Sequence, residues 1–153
     1  MMTAYYNSLI GLMKITGTAA GILTVGFIEE ESSESETVPD CLQPCVQQLD
    51  EYFQGTRTTF TVNLIPPGTE FQQRVWQQLQ SIPHGDTTTY HQIAAALGIP
   101  NGSQAVGRAN GANPIAILIP CHRVIGNTGK LTGYAGGLWR KEWLLRHEGA
   151  LMV

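Results

Sequence analysis

The stretch Ile115-Ala116-Ile117-Leu118-Ile119-Pro120-Cys121-His122-Arg123-Val124 joins a purely apolar run to a thiol and an imidazole. An apolar run that ends in proline is typical of a buried extended segment that stops abruptly. The sequence therefore predicts that Cys121 lies at the edge of the core, on a chain that Pro120 stiffens. Because a thiol reacts as its thiolate, a nearby base or cation would raise its reactivity at neutral pH.

These residues alone leave two interpretations of Cys121 open. A single cysteine is more often a small buried apolar side chain than a nucleophile. Adjacent side chains of an extended chain point to opposite faces, so we expect a water molecule, rather than direct contact, to link His122 with Cys121. The thiol is a candidate nucleophile whose role depends on its surroundings.

Further blocks accompany this stretch at a characteristic order and spacing. They are Asn113-Pro114, Pro120 to Gly126, Gly133-Tyr134-Ala135-Gly136-Gly137, Lys141-Glu142-Trp143-Leu144-Leu145 and His147-Glu148-Gly149. Together they closely resemble the O6-alkylguanine-DNA alkyltransferases, the methylated-DNA–protein-cysteine methyltransferases. The specific match covers residues 67–150, whereas residues 1–65 fit that family only in outline.

The resemblance implies an α+β fold with two lobes. Residues 1–66 are expected to form a ribonuclease-H-like N-terminal lobe that supports the structure. Residues 67–153 are expected to form a helical, winged-helix-like lobe that contains a helix-turn-helix, binds DNA and accepts the alkyl group.

Local patterns add element positions to this outline. β-branched residues and glycine breaks predict antiparallel strands within residues 1–27. The pattern of the remaining segments predicts a polar loop at 30–38, a helix at 39–55, a strand at 58–64, helices at 89–97 and 103–110 that form the helix-turn-helix, and a last helix at 139–147. A capping-box pattern, Thr69-x-x-Gln72, predicts one further helix start.

The function that the resemblance implies is irreversible transfer of an alkyl group from O6-alkylguanine in DNA to Cys121, once per protein molecule, after the damaged base is flipped out. No cofactor and no metal are expected, because the cysteine itself is the acceptor. The expected partner is DNA approached through its minor groove, and the expected state is a monomer. A non-catalytic lesion-sensing DNA-binding protein and a Cys–His hydrolase are the alternatives.

The resemblance also implies the catalytic residues, which are Cys121, His122, Glu148 and Tyr90. In this scheme Glu148 orients His122, and His122 holds a water that relays the proton of Cys121. Glu148 follows the last predicted helix, where a carboxylate meets the negative end of the helix dipole, so solvent or a cationic or hydrogen-bond-donating partner must stabilise it. Tyr90 is equally compatible with a core aromatic whose hydroxyl reaches water.

A second set of residues is implied to contact DNA or the base: Gln104, Ala105, Arg108, Asn113, Arg123, Val124, Tyr134, Ala135 and Lys141. The small residues of 103–110 fit either a slim minor-groove helix or close helix packing. The resemblance gives Asn113 a hinge role and places Lys141 near the thiolate. Arg123 is expected to be structural or to face a phosphate.

Gln104 departs from the family pattern, which has an arginine that fills the gap left by the flipped base. Glutamine carries no charge and stacks less well. We therefore expect weaker duplex binding or slower base flipping, with little effect on reaction with a free alkylguanine.

Charge and cysteine content fit an intracellular DNA-binding protein. The net charge is −3, but residues 1–83 hold three basic and nine acidic residues, a balance of −6, whereas residues 84–153 hold six basic and three acidic residues, a balance of +3. The three cysteines lack zinc-type spacing, and Cys41 and Cys45 fit partly buried helical thiols. A protein that needs a free thiol is expected in the reducing cytoplasm, and no apolar run approaches the roughly 18 residues of a membrane span.

Overall fold

The computed structural model describes residues 1–29 and 37–151, which fall into two compact units. The first unit comprises residues 1–67 together with 114–116, and the second comprises 68–113 and the chain from 117 onward. The acidic loop predicted at 30–38 lies largely outside the described residues. Within the described ranges, no helix is both long and apolar enough to cross a membrane.

The first unit contains an antiparallel three-stranded sheet. Strands β1 (Met2–Ser8), β2 (Gly11–Thr18) and β3 (Gly21–Phe27) follow one another in sheet order, as the strand prediction for residues 1–27 anticipated. Helix α1 (Gln43–Phe53) follows a short 3-10 turn and buries Leu49 fully. The apolar core of this unit includes Ala4, Met13, Ile15, Ile22 and Val25 of the strands, all of which are buried.

The prediction of a strand at 58–64 is wrong. Only Leu64 forms a bridge, to Ile22 of β3. The side chain of Gln48 from α1 accepts a hydrogen bond from the Thr61 amide at 3.0 Å and donates to the Thr61 hydroxyl at 2.6 Å. Because a side chain satisfies this backbone, the segment needs no strand partner there.

In the second unit, threonine caps begin two helices. Helix α2 (Glu70–Gln80) begins with the predicted capping box of Thr69 and Gln72. The next helix, α3 (Tyr90–Ala96), begins with a second capping box, formed by Thr89 and Gln92. Each box satisfies two backbone donors at the helix start. The cap at Thr89 thereby fixes Tyr90 as the first residue of its helix.

Helices α3 and α4 (Ser103–Gly111) pack against each other as the predicted helix-turn-helix. Gly98 follows α3 with φ +77°, a left-handed conformation that suits glycine and ends the helix. A short parallel pair joins strand β4 (Thr88–Thr89) to strand β5 (Val124–Ile125). This pairing holds the start of α3 beside the segment that follows Cys121.

The last helix, α5 (Leu138–His147), begins one residue earlier than predicted. Gly137 precedes it with φ +94°, so the chain turns sharply from the glycine-rich loop into the helix. Leu144 and Leu145 are fully buried, and Glu148 caps the C-terminal end. The fold therefore places the glycine-rich loop, the helix-turn-helix and the cysteine segment in one unit.

Candidate active site

The segment before Cys121 is buried but is not extended, so that part of the prediction is wrong. After the Ile115 bridge the chain makes turns, and Ile117 takes φ +72°. The carbonyl of Ile119 accepts hydrogen bonds from the Cys121 amide at 2.8 Å and from Nδ2 of Asn113 at 2.8 Å. An apolar run cannot distinguish a buried strand from a buried turn, because both bury the same side chains.

Cys121 begins a single 3-10 turn, Cys121–Arg123, that ends where β5 starts. The Arg123 amide donates to the Pro120 carbonyl at 3.0 Å and closes this turn. All three side chains are buried, and Cys121 is 7% exposed. The expectation that adjacent side chains alternate between two faces does not apply here, since it assumed an extended chain.

Glu148 is the centre of a buried polar cluster. Its Oε2 lies 2.7 Å from Nε2 of His122, and its Oε1 accepts from Nε of Arg123 at 2.8 Å. Arg123 also donates through Nη2 to Oε2 at 3.0 Å and through Nη1 to the Ile82 carbonyl at 2.7 Å. Of the two roles expected for Arg123, these contacts fit the structural one. They also supply the cationic partner that Glu148 requires at the helix end.

The cluster fixes the protonation of its members. Burial alone would raise the pKa of Glu148, but the hydrogen bonds that it accepts from His122 and Arg123, together with the charge of Arg123, outweigh burial and hold that pKa well below its usual range. Burial lowers the pKa of His122, which Glu148 only partly offsets. His122 is therefore neutral at pH 7 and donates Nε2–H to the carboxylate. Its Nδ1 is left as an unprotonated acceptor, buried and without a hydrogen bond to any described residue.

The thiol itself is protonated at rest. Burial raises the pKa of Cys121, while a hydrogen bond from the Asn113 side chain and the charge of Lys141 act in the opposite direction. Lys141 is fully buried, and burial lowers its pKa to about 8 although Cys121 raises it. Cys121 thus needs a base to react, and Asn113 and Lys141 favour the thiolate once it forms.

Thr132 links Lys141 to Tyr90, a connection that sequence reasoning missed. Nζ of Lys141 donates to the Thr132 carbonyl at 2.6 Å, and the Thr132 hydroxyl lies 2.9 Å from the Tyr90 hydroxyl. The backbone carbonyl carries no sequence signal, so this contact was not accessible to pattern analysis. Tyr90 is therefore held by its hydroxyl beside the lysine that faces Cys121.

Replacing Lys141 with methionine is expected to slow alkylation of Cys121 by iodoacetamide about tenfold near pH 7.5, because losing the cation raises the pKa of the thiol. The pKa of Lys141 is about 8. Its charge is present below that pH and lost above it, so the two proteins should converge in rate as the pH rises. Peptide-resolved mass spectrometry measures the rate at Cys121. Lys130→Met, at an exposed position, is the matched control, and identical pH profiles for all three proteins would contradict the expectation.

The exposed face of α4 carries two of the predicted DNA-contacting residues. Gln104 and Arg108 are exposed and Ala105 is half-buried, whereas Ala109 is buried and its carbonyl accepts from Nε1 of Trp76 at 2.8 Å. A Cβ built on Gly107 would lie 3.8 Å from the Tyr90 ring. Small residues thus serve helix packing on one side of α4, while the longer side chains of Gln104 and Arg108 lie on the exposed side.

The glycine-rich loop contributes Tyr134 and Ala135. The Tyr134 hydroxyl is buried, makes no hydrogen bond to the described part of the chain, and has its pKa raised by burial and by Cys121. Ala135 is exposed, and Val124 is fully buried. Among the described residues, no group of His, Cys, Asp and Glu side chains has the arrangement of a metal site.

Most of the predicted residues therefore fall into three groups. Cys121, His122, Glu148, Asn113 and Lys141 interact directly or electrostatically around the thiol. Tyr90 is connected to this group through Thr132, and a thiolate at Cys121 would raise the pKa of Tyr134. Gln104 and Arg108 are exposed residues of α4.

Two family models match the chain. Residues 1–66 match the model described as 6-O-methylguanine DNA methyltransferase, ribonuclease-like domain, and residues 70–150 match the model described as 6-O-methylguanine DNA methyltransferase, DNA binding domain. The two matches together account for almost the whole chain.

Relatives and solved structures agree with these matches. A methylated-DNA–protein-cysteine methyltransferase of Methanosarcina acetivorans is 46% identical, covering 98% of this chain and 99% of the relative. A methylated-DNA–protein-cysteine methyltransferase of Salmonella typhimurium is 56% identical, in an alignment that covers 69% of this chain and 63% of the relative. A structure of Mycobacterium tuberculosis OGT in complex with DNA has a TM-score of 0.88 and 44% identity, covering 98% of this chain and 94% of that one. The chain belongs to the 6-O-methylguanine DNA methyltransferase family.

Proposed function

We propose that this chain repairs DNA as a methylated-DNA–protein-cysteine methyltransferase, moving the alkyl group of O6-alkylguanine to Sγ of Cys121 in a single turnover. The observation that carries the proposal is the 2.7 Å contact between Glu148, at the end of α5, and His122, which lies in the same 3-10 turn as the thiol. An ionised Glu148 holds Nε2–H and leaves Nδ1 as a base beside a buried thiol. The relatives that share most of the chain carry this activity in their names.

The first step removes the proton of Cys121. A water molecule between the thiol and Nδ1 of His122 relays this proton to the imidazole, because Cys121 and His122 make no direct hydrogen bond in the described structure. The imidazolium that forms is stabilised by Glu148, and the thiolate is stabilised by Asn113 and Lys141. Arg123 acts as a positioning residue that holds Glu148 in place.

The second step forms the S–C bond and breaks the C–O bond. The thiolate attacks the alkyl carbon in line, and guanine leaves with the bonding electron pair on O6. The backbone amide of Ala135 donates to O6, and the proton held by His122 returns through solvent to the guanine. The product is a thioether at Cys121, which has no labile bond, so the protein reacts once and needs no cofactor.

Access to O6 requires that the base leave the duplex. Flipping costs a few kcal/mol, less where alkylation has already weakened pairing. Helix α4 carries small residues such as Ala105 between the exposed side chains of Gln104 and Arg108, and it is the element that enters the narrow minor groove. Tyr90 lies against the extruded nucleotide, Tyr134 lines its pocket, and the carbonyls of Cys121 and Val124 accept from the exocyclic amine. One monomer supplies all of these groups.

The redox state of the chain suits this chemistry. Cys41, Cys45 and Cys121 are all free thiols. Burial raises the pKa of Cys45 to about 12, so that thiol is inert at neutral pH. A chain that depends on a free thiol fits the reducing cytoplasm.

Gln104→Arg is expected to increase the rate of repair in duplex DNA about tenfold. An arginine at this exposed position of α4 adds a charge near the phosphates and a planar group that stacks in the gap left by the base. Reaction with free O6-benzylguanine should be unchanged, since no flipping is required. Single-turnover rates on both substrates measure the effect, and equal duplex rates for the two proteins would refute it.

The function is tested by counting transferred groups. Duplex DNA carrying tritiated O6-methylguanine, in excess over protein, should label the protein to one methyl group per molecule and then stop. The DNA should be recovered with unmodified guanine. Binding of the lesion without labelling would instead support a non-catalytic lesion sensor, and continued turnover of an ester would support a hydrolase.

A further inference from the structure

Thr132, which directly precedes the glycine-rich loop, is engaged at three separate atoms. Its carbonyl accepts a hydrogen bond from Nζ of Lys141 at 2.6 Å, and its hydroxyl lies 2.9 Å from the Tyr90 hydroxyl. Its methyl group faces Gly126, where an added Cβ would lie 3.3 Å from Cγ2 of the threonine. Both branches of the side chain and the backbone carbonyl therefore make contacts, although the mechanism above gives Thr132 no role.

The Tyr90 side chain is constrained at both ends and along its edge. Its backbone begins α3 at the capping box of Thr89, and a Cβ added to Gly107 of α4 would lie 3.8 Å from ring atoms Cδ1 and Cε1. The hydroxyl at the far end of the ring meets the hydroxyl of Thr132. Of these three contacts, the hydrogen bond is the one that orients the tyrosine hydroxyl.

We propose that Thr132 is a positioning residue for alkyl transfer, whose hydroxyl holds the Tyr90 hydroxyl toward the extruded nucleotide while its carbonyl holds the ammonium of Lys141. The inference rests on the proposed function, in which Tyr90 lies against that nucleotide. A threonine hydroxyl that donates to the tyrosine oxygen leaves the single proton of the tyrosine for the nucleotide. A group that is already oriented needs no reorganisation when the substrate arrives, so its support affects the rate of reaction.

The two branches of the threonine side chain allow this role to be separated from packing. Thr132→Val keeps the shape, the methyl group that faces Gly126 and the backbone carbonyl, but it sets a methyl group against the Tyr90 hydroxyl. Thr132→Ser keeps the hydroxyl and removes the methyl group. A positioning role through Tyr90 requires the hydroxyl, whereas a packing role requires the methyl group.

The first measurement is single-turnover methyl transfer from duplex DNA that carries O6-methylguanine, with the protein in saturating excess. Thr132→Val should slow transfer about tenfold, which is the effect of one lost hydrogen bond that supports the transition state. Thr132→Ser should transfer nearly as fast as the parent. Tyr90→Phe should be slowed at least as much as Thr132→Val, and adding Thr132→Val to Tyr90→Phe should slow it no further, because both changes break the same contact.

The second measurement is alkylation of Cys121 by iodoacetamide, which needs no nucleotide. Thr132→Val should react at the parent rate, because Lys141 is held by the backbone carbonyl that the substitution retains. An unchanged rate also shows that the thiol keeps its surroundings in the variant. Thr128→Val, at an exposed position of the turn that precedes Thr132, is the matched control and should match the parent in both reactions.

Several results would overturn the inference while leaving the proposed function intact. They are transfer by Thr132→Val at the parent rate, equal slowing by Thr132→Val and Thr132→Ser, and multiplication of the two effects in the double variant with Tyr90→Phe. Equal slowing of the iodoacetamide and DNA reactions by Thr132→Val would also overturn it. Failure of the parent chain to accept methyl from the duplex would instead reject the proposed function, and the inference with it.

Discussion

Replacing Cys121 with serine is expected to reduce methyl transfer by at least about 10³-fold, below the limit of detection in most assays. The hydroxyl of serine is a far weaker acid than a thiol, and a neutral His122 cannot generate an alkoxide. Asn113 and Lys141 only partly stabilise a buried thiolate, since the pKa of Cys121 remains raised. They would stabilise the more basic alkoxide of serine even less effectively. Transfer of radiolabelled methyl to protein measures the loss.

The matched controls are the other two cysteines. Cys41→Ser and Cys45→Ala remove thiols of the first unit, and both variants should transfer one methyl group at the parent rate. Because serine is nearly isosteric with cysteine, the Cys121→Ser variant should still bind DNA that carries O6-methylguanine. Retention of transfer in Cys121→Ser, or its loss in either control, would contradict the assignment.

Glu148→Gln is expected to slow methyl transfer about 10²-fold and to lower the free energy of unfolding by about 3 kcal/mol. The rate falls because the amide can no longer stabilise an imidazolium at His122. Stability falls because Arg123, which is 6% exposed, is left buried without a countercharge. Single-turnover kinetics and urea unfolding measure the two effects.

Glu142→Gln is the matched control on the same helix. Glu142 pairs with Arg146 at 2.6 Å, but both side chains are nearly half exposed, at 45% and 49%. An exposed pair contributes about 0–1 kcal/mol, so this variant should unfold and react almost as the parent does. If Glu148→Gln were as mild as Glu142→Gln in both measurements, the buried cluster would have neither role.

Local patterns anticipated the regular elements of the second unit well. Thr69 and Gln72 form the capping box that their spacing predicts, and the helix-turn-helix occupies almost the predicted residues. Such signals are local, because a cap or a glycine stop satisfies backbone groups within a few residues of itself. The three strands of the first unit were anticipated for the same reason.

Features that depend on tertiary placement were not accessible in this way. The apolar run before Cys121 was expected to be extended, but Ile117 adopts φ +72° within a buried turn. The segment at 58–64 was expected to be a strand, but Gln48 from α1 satisfies the Thr61 amide instead. In both places a partner distant in sequence decides the conformation.

The candidate site also combines features that the sequence predicts with features that depend on tertiary contacts. Sequence resemblance identified Cys121, His122 and Glu148 but left the role of Arg123 open, and its bonds to Glu148 and Ile82 are visible only in the folded chain. Thr132 carried no signal, since its backbone carbonyl makes the contact with Lys141. The resemblance could predict the thiol and the residues that act on it, but it could not predict the contacts of Arg123 and Thr132 that hold those residues in place.

The most direct test is to locate the methyl group. The protein is mixed with DNA that contains O6-methylguanine, digested, and its cysteine peptides are sequenced by mass spectrometry. The account predicts that the peptide of Cys121 gains one methyl group in place of one proton, while those of Cys41 and Cys45 remain unmodified. A methyl group on either of those two cysteines, or on none of the three, would contradict it.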